Sequence, residues 1–122
     1  DFSASESVTV TKLNSPFIKP IILLINRFTI SAGEWFTLAM KSLSNVSLIG
    51  DTTGGAFSGR MDRELSNGWL YSLSIENVTD ANGTSFEGKG IPPAITIHLP
   101  KNYQPAFGKD TVLEKAIEIL SK

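Results

Sequence analysis

Residues 21–50 read IILLINRFTISAGEWFTLAMKSLSNVSLIG and carry the strongest secondary-structure signal of the chain. The run Ile21–Ile25 is apolar at every position, which is typical of a parallel strand covered by helices on both faces. Residues 32–43 then place apolar side chains at helical spacing, and Trp35 and Phe36 are predicted to belong to the core. Residues 47–50 read as a second short buried strand. A strand, a helix and a strand within about thirty residues predict a right-handed βαβ unit.

The sequence before this unit is polar and closes with Pro16 and Pro20. Residues 1–19 form a lead-in in which Val8 and Val10 alternate with threonines, so a short edge strand is predicted there. Residues 20–122 are assigned to one domain.

The sequence after the unit gives further elements. A strand is predicted for residues 69–75 from their alternation and a short one for residues 95–98, while residues 58–66 read as a polar, mobile connection. A turn is expected at residues 80–83. The closing helix, residues 110–121, begins with Asp110 as its cap.

Composition excludes several classes of function. The 122 residues contain 11 Lys and Arg against 12 Asp and Glu, and this balance argues against a nucleic-acid partner. The chain has no cysteine, so disulfides, thiolate nucleophiles and cysteine zinc sites are excluded. Its longest apolar run is too short to span a bilayer.

Ser31 is the candidate nucleophile, because a serine between a buried strand and a helix stands at an exposed turn. Its hydroxyl would feel the positive end of the helix dipole, and the amide of Ala32 is a candidate oxyanion donor. The alternative is a purely structural serine. Ser31 followed three residues later by Glu34 also matches a capping box, in which the two residues only close the helix end.

Four segments in order resemble the C-terminal-processing (tail-specific) serine peptidases. Ser31-Ala32-Gly33-Glu34 resembles the Ser-Ala-x-Glu helix start of that family, and residues 50–55 resemble its Gly-x-x-Thr-x-Gly loop. Residues 67–70 resemble its Asp-Gly strand entry, and residues 86–93 its EGxGVxPD segment. The resemblance covers roughly residues 20–120. It implies an α/β fold with a crotonase-like (ClpP-like) mixed sheet, of which this chain is the C-terminal part, and acyl-enzyme hydrolysis of peptide bonds without a metal or other cofactor.

The resemblance also assigns roles to residues. It makes Ser31 the nucleophile and Glu87 a carboxylate that orients a histidine from an earlier segment. The position of the lysine base in the Ser/Lys branch is Ala56, and Arg60 is too strongly protonated to replace it. The Thr-Thr-Gly-Gly loop at residues 52–55 instead resembles the branch of the tricorn core and the interphotoreceptor retinoid-binding protein. His98 lies after the motif and is expected at the surface.

Gly54 and Gly55 have two interpretations. They either let the backbone approach a bound peptide or only turn the chain, and turn glycines are the commoner case.

The family's upstream histidine and its glycine-rich oxyanion loop have no counterpart in these residues. We therefore expect one of two arrangements. The chain is either the C-terminal portion of a longer enzyme, inactive alone, whose missing N-terminal part is a partner and could include a PDZ-type domain, or one chain of an enzyme that is assembled from several. Exposed strand edges predict a homodimer. The substrate would be polypeptide, and the resemblance suggests a periplasmic or cell-surface location in a bacterium. The alternative function is a non-catalytic ligand- or peptide-binding module on the same fold, and a third hypothesis is a scaffold fragment whose exposed strand edges mainly make contacts.

Overall fold

The computed structural model describes residues 5–9, 11, 14–98 and 109–122. Within them the chain forms five strands and two helices, in the order β1 (Ile21–Ile25), α1 (Ala32–Lys41), β2 (Val46–Gly50), β3 (Arg60–Glu64), β4 (Leu70–Ser74), β5 (Ile95–Thr96) and α2 (Thr111–Leu120). No helix in these ranges combines the length and the apolar character that a membrane crossing requires.

The predicted strand–helix–strand unit is confirmed. β1 pairs in parallel with β2 from Ile21 opposite Val46 to Ile25 opposite Gly50, and β5 lies on the other side of β2. Gly50 has a φ of 129°, and a Cβ there would collide with the carbonyl oxygen of Ile25. A glycine is therefore required where the first parallel pair ends.

The two helices cover different faces of β2. Leu48 packs in a cluster with Ile25, Phe57 and Ile91, against which Leu38 of α1 is packed. The next residue, Ile49, packs with Val112 of α2. Because neighbouring residues of a strand point to opposite faces, the core lies on both sides of β2.

β1 is less buried than its sequence predicted. Only Ile25 is buried, and Leu24 is exposed. The physical reason is its place in the sheet, since β1 is the outer strand of the order β1-β2-β5 in the described part of the chain.

The prediction that Trp35 and Phe36 lie in the core was wrong. The buried residues of α1 are Glu34 and Thr37, whereas the aromatic residues are 39% and 56% exposed. The buried face of α1 is the one that carries Glu34, whose carboxylate binds the loop after β2. Trp35 lies beside that face, and its Nε1 atom donates to the carbonyl of Phe57 in the same loop at 3.2 Å.

The prediction of a mobile connection at residues 58–66 was also wrong. β3 pairs there with β4 in an antiparallel hairpin, from Arg60 opposite Ser74 to Glu64 opposite Leu70. The hairpin closes through Gly68, which has a φ of 83°. The strand was missed because four of its five residues are charged and all five are exposed, so it needs no apolar alternation.

Several smaller predictions have different outcomes. Val8 and Thr9 form no strand, and Val10 lies outside the described residues. The predicted strand at residues 95–98 shortens to the two residues of β5. The cap of α2 is confirmed, because the side chain of Asp110 accepts hydrogen bonds from the amides of Val112 and Leu113.

Candidate active site

Ser31 occupies an unusual backbone conformation immediately before α1. Its φ of 51° and ψ of −122° make it the one non-glycine residue with positive φ in the described ranges. Such a conformation costs free energy in an L-residue and is characteristic of the sharp turn that carries a nucleophilic serine between a strand and a helix. Ser31 is exposed.

The capping-box interpretation was wrong. The side chain of Ser31 makes no capping hydrogen bond to α1, and that of Glu34 turns away from the helix end to other partners. In the part of the chain that the structure describes, the Ser31 hydroxyl has no hydrogen-bond partner.

The amides at the start of α1 are unequally used. Those of Gly33 and Glu34 donate to the carbonyls of Ile30 and Ser31 at 3.0 and 2.8 Å. The amide of Ala32 donates to no backbone carbonyl among the described residues. It is therefore available for the predicted role of oxyanion donor, which stays a prediction.

Glu34 is the residue whose role the sequence interpretation missed. It is fully buried, and its carboxylate accepts hydrogen bonds from the Thr53 hydroxyl at 2.5 Å and from the amides of Gly55 and Ala56 at 2.7 and 2.6 Å. Thr53 in turn accepts from the amide of Ile91 at 2.7 Å. The buried acid therefore organises the loop after β2.

That loop is bonded to the serine turn in two places. The amide of Ser31 donates to the carbonyl of Ala56 at 2.9 Å, and the amide of Gly54 donates to the carbonyl of Thr29, also at 2.9 Å. Glu34 thus acts on the surroundings of Ser31 through the loop. In the sequence, only the presence of an acid in the helix together with a Thr-Thr-Gly-Gly loop could have indicated this role of Glu34.

Gly54 and Gly55 allow this loop to approach its neighbours closely. A Cβ at Gly54 would meet the side chain of Ile30. Gly55 has a φ of 74°, and its Cβ would lie 2.8 Å from the amide nitrogens of Lys89 and Gly90. The structural interpretation of the glycines therefore has a physical basis, and their predicted contact with substrate stays a prediction.

Glu87 lies on the same loop system. Its Oε2 atom accepts hydrogen bonds from the amides of Phe57 and Ser58, both at 2.9 Å. The structure thus brings Glu87 to the residues that directly follow Ala56, the backbone partner of Ser31. Its role in orienting a histidine stays a prediction.

His98 lies elsewhere, as expected. Its side chain is 82% exposed, and its Nδ1 atom is 3.5 Å from Oδ1 of Asp51. Among the described residues, His, Asp and Glu side chains form no group that could hold a metal ion.

Comparisons with known proteins identify the family of the chain. Residues 2–97 match the model of Peptidase family S41. The carboxy-terminal processing protease CtpA of Bacillus subtilis (strain 168) is 32% identical over 98 residues, which are 80% of this chain and 21% of that protein. The chain therefore spans about a fifth of the length of this curated relative.

Solved structures show the same relationship. A candidate peptidase from Parabacteroides merdae is 34% identical with a TM-score of 0.73, over 87% of this chain and 33% of that one. The tricorn protease is 28% identical with a TM-score of 0.66, over 83% of this chain and 10% of that one. Both have the fold described above over most of this chain, and the predicted branch within the family stays a prediction. With its motifs, fold and family match in agreement, the chain belongs to peptidase family S41.

Proposed function

We propose that this chain carries the nucleophile of a serine peptidase of the carboxy-terminal processing type. The observation that carries the proposal is the backbone of Ser31, held at positive φ directly before a helix in a chain of a peptidase family. Its Oγ would attack the carbonyl carbon of a peptide bond and lose its proton to a base. The amine half would leave with a proton, and water would then hydrolyse the ester.

The geometry suits this chemistry in two ways. The strained turn presents the hydroxyl to solvent without a competing bond in the described residues. The start of α1 contributes a positive dipole end, and the unused amide of Ala32 would donate to the oxyanion as it forms.

The base would come from polypeptide outside these 122 residues. The single histidine of the chain contacts Asp51, and the position that the family resemblance gives to the lysine base of the Ser/Lys branch holds Ala56. The length of CtpA supports this proposal, because the chain corresponds to about a fifth of that relative.

The decisive experiment uses the full-length protein and a fluorophosphonate probe together with casein as substrate. Wild type and Ser44→Ala are expected to label and cleave, whereas Ser31→Ala does neither. Ser44 is a matched control because it is exposed and lies in the turn after α1. Absence of labelling and cleavage in the wild type would contradict the proposal and would favour the ligand-binding module.

The substrate and the surroundings of the enzyme are further parts of the proposal. Polypeptide substrates follow from the peptidase family, and a periplasmic or cell-surface location is supported by the family resemblance alone. A homodimer would use the outer edge of β1, which is unpaired in the described part of the chain. A PDZ-type domain in the N-terminal part is supported only by the resemblance. Cell fractionation and gel filtration of the full-length protein test the location and the dimer.

A further inference from the structure

Five consecutive backbone amides after β2 donate to carboxylates from three other parts of the chain. The amides of residues 55 and 56 donate to Glu34, those of residues 57 and 58 to Glu87, and that of residue 59 to Glu76 at 2.9 Å. We name residues 55–59 the five-amide segment. Because it belongs to no strand, side-chain acceptors replace the ladder partners that its N–H groups would otherwise need.

The middle of the five-amide segment is joined directly to Ser31. The carbonyl of Ala56 and the amide of Phe57 belong to one planar peptide unit. The carbonyl accepts from the Ser31 amide at 2.9 Å, and the amide donates to Glu87 at 2.9 Å. A rotation of this plane would therefore break both hydrogen bonds together.

A second hydrogen bond of Glu87 and the burial of Phe57 both help to hold this peptide plane. Its Oε2 atom also accepts from Ser58, so one oxygen fixes two successive peptide units. Phe57 is 2% exposed and anchors the same unit in the core with Ile25, Leu48 and Ile91. Glu87 itself is an exposed residue.

We propose that Glu87 is a positioning residue, which sets the backbone of Ser31 through the peptide plane between Ala56 and Phe57. The inference rests on the proposed function, because it assigns Glu87 a role relative to the nucleophile. It requires an acceptor oxygen at position 87 and does not require a negative charge. The predicted role of orienting a histidine does require the charge, so the two roles differ in a measurable way.

The test compares Glu87→Gln with Glu87→Ala in the full-length protein, by the rate constant and the binding constant for the fluorophosphonate probe. The glutamine keeps an oxygen for both amides and is expected to label within about threefold of wild type, since a neutral acceptor is weaker than a carboxylate. The alanine is expected to lower the rate constant about ten- to a hundredfold and to leave the binding constant nearly unchanged, because the nucleophile is displaced. Glu64→Ala, an exposed acid of β3, is the matched control.

Amide hydrogen exchange of residues 55–59 provides a readout that does not depend on the reactivity of Ser31. Faster exchange in Glu87→Ala with wild-type protection in Glu87→Gln is expected. The proposal would be overturned if the probe labelled Glu87→Gln ten times or more slowly than wild type. It would also be overturned if the probe labelled Glu87→Ala at the wild-type rate. If Glu87→Ala fails to fold, the rate of the glutamine variant decides alone. If the wild type does not label, the proposed function fails, and exchange still tests whether Glu87 holds the segment.

Discussion

The amide of Ser31 donates to the carbonyl of Ala56 at 2.9 Å, and this bond joins the strained turn to the loop after β2. The loop is itself held by the buried carboxylate of Glu34, three residues after Ser31 in the chain. A conformation that the local sequence disfavours is thus maintained by contacts between distant segments.

Replacing Ser31 by glycine is expected to give a more stable protein than replacing it by alanine. Glycine adopts a φ of 51° without the steric cost that an L-residue bears, so the free energy of unfolding should differ by about 1–3 kcal/mol. Urea denaturation of both variants measures the difference. The same pair of changes at Ser44 is the control, and equal stability of the two Ser31 variants would show that the turn is unstrained.

Replacing Glu34 by alanine is expected to destabilise the protein strongly. The change leaves the Thr53 hydroxyl and two amides without their acceptor at a fully buried site, which costs about 3–5 kcal/mol of unfolding free energy. Glu34→Gln keeps one acceptor oxygen and should lose less. Denaturant unfolding followed by tryptophan fluorescence measures both, and a loss below about 1 kcal/mol for alanine would refute the buried network.

Gly55→Ala is expected to be worse tolerated than Gly83→Ala. Both glycines have positive φ, 74° and 79°, so the backbone cost is shared. Only at Gly55 does the new Cβ meet other atoms, since nothing lies within 4 Å of a Cβ at Gly83. We expect Gly83→Ala to lower the unfolding free energy by about 1 kcal/mol and Gly55→Ala by at least about 2 kcal/mol more. Equal losses in thermal or urea unfolding would argue against tight packing of the loop.

The carboxyl of Asp80 is expected to titrate below its ordinary value. The amide of Thr84 donates to it and holds its pKa below 3.8, and the amide of Asn82 and the charge of Lys41 act in the same direction. Because the folded-state pKa is the lower one, this contribution to stability is present above 3.8 and is lost as the pH falls through the folded value.

Carboxyl NMR titration measures the Asp80 pKa directly, and Lys41→Met is the control. The backbone amide is the first cause, so this variant should keep most of the shift. A midpoint at or above 3.8 would contradict the prediction, and so would complete loss of the shift in Lys41→Met.

The parallel unit and the position of the serine could be predicted because their signals are local. The apolar runs around Ile21 and Leu48 are continuous, and Ser31 directly precedes the helical spacing of α1. The turn at residues 80–83 and the cap Asp110 likewise depend on neighbours within a few residues.

The true partners of Glu34 could not be read from the same pattern. A capping box and a buried acid are identical in sequence at residues 31–34, and only the approach of Thr53 distinguishes them. The position of Trp35 has the same origin, because Glu34 and not the aromatic residues occupies the face of α1 that the loop covers, and Trp35 contacts that loop only through Nε1, which donates to the carbonyl of Phe57 at 3.2 Å. β3 was missed for a different reason. Its residues are all exposed and show no alternation of apolar and polar side chains, so β3 is recognised only by its pairing with β4.

The exposed hairpin of β3 and β4 is expected to open at a lower free energy than the rest of the protein unfolds. Among the described helices and strands, β3 and β4 contact only each other, and every residue of both is exposed. A ribbon of this kind opens locally, without unfolding the rest of the protein. The amide hydrogens of β3 and β4, where Met61 lies opposite Leu73, should therefore exchange with solvent long before those of β1 and β2, where Leu23 lies opposite Leu48. A substitution in the ribbon would leave the global unfolding midpoint unchanged.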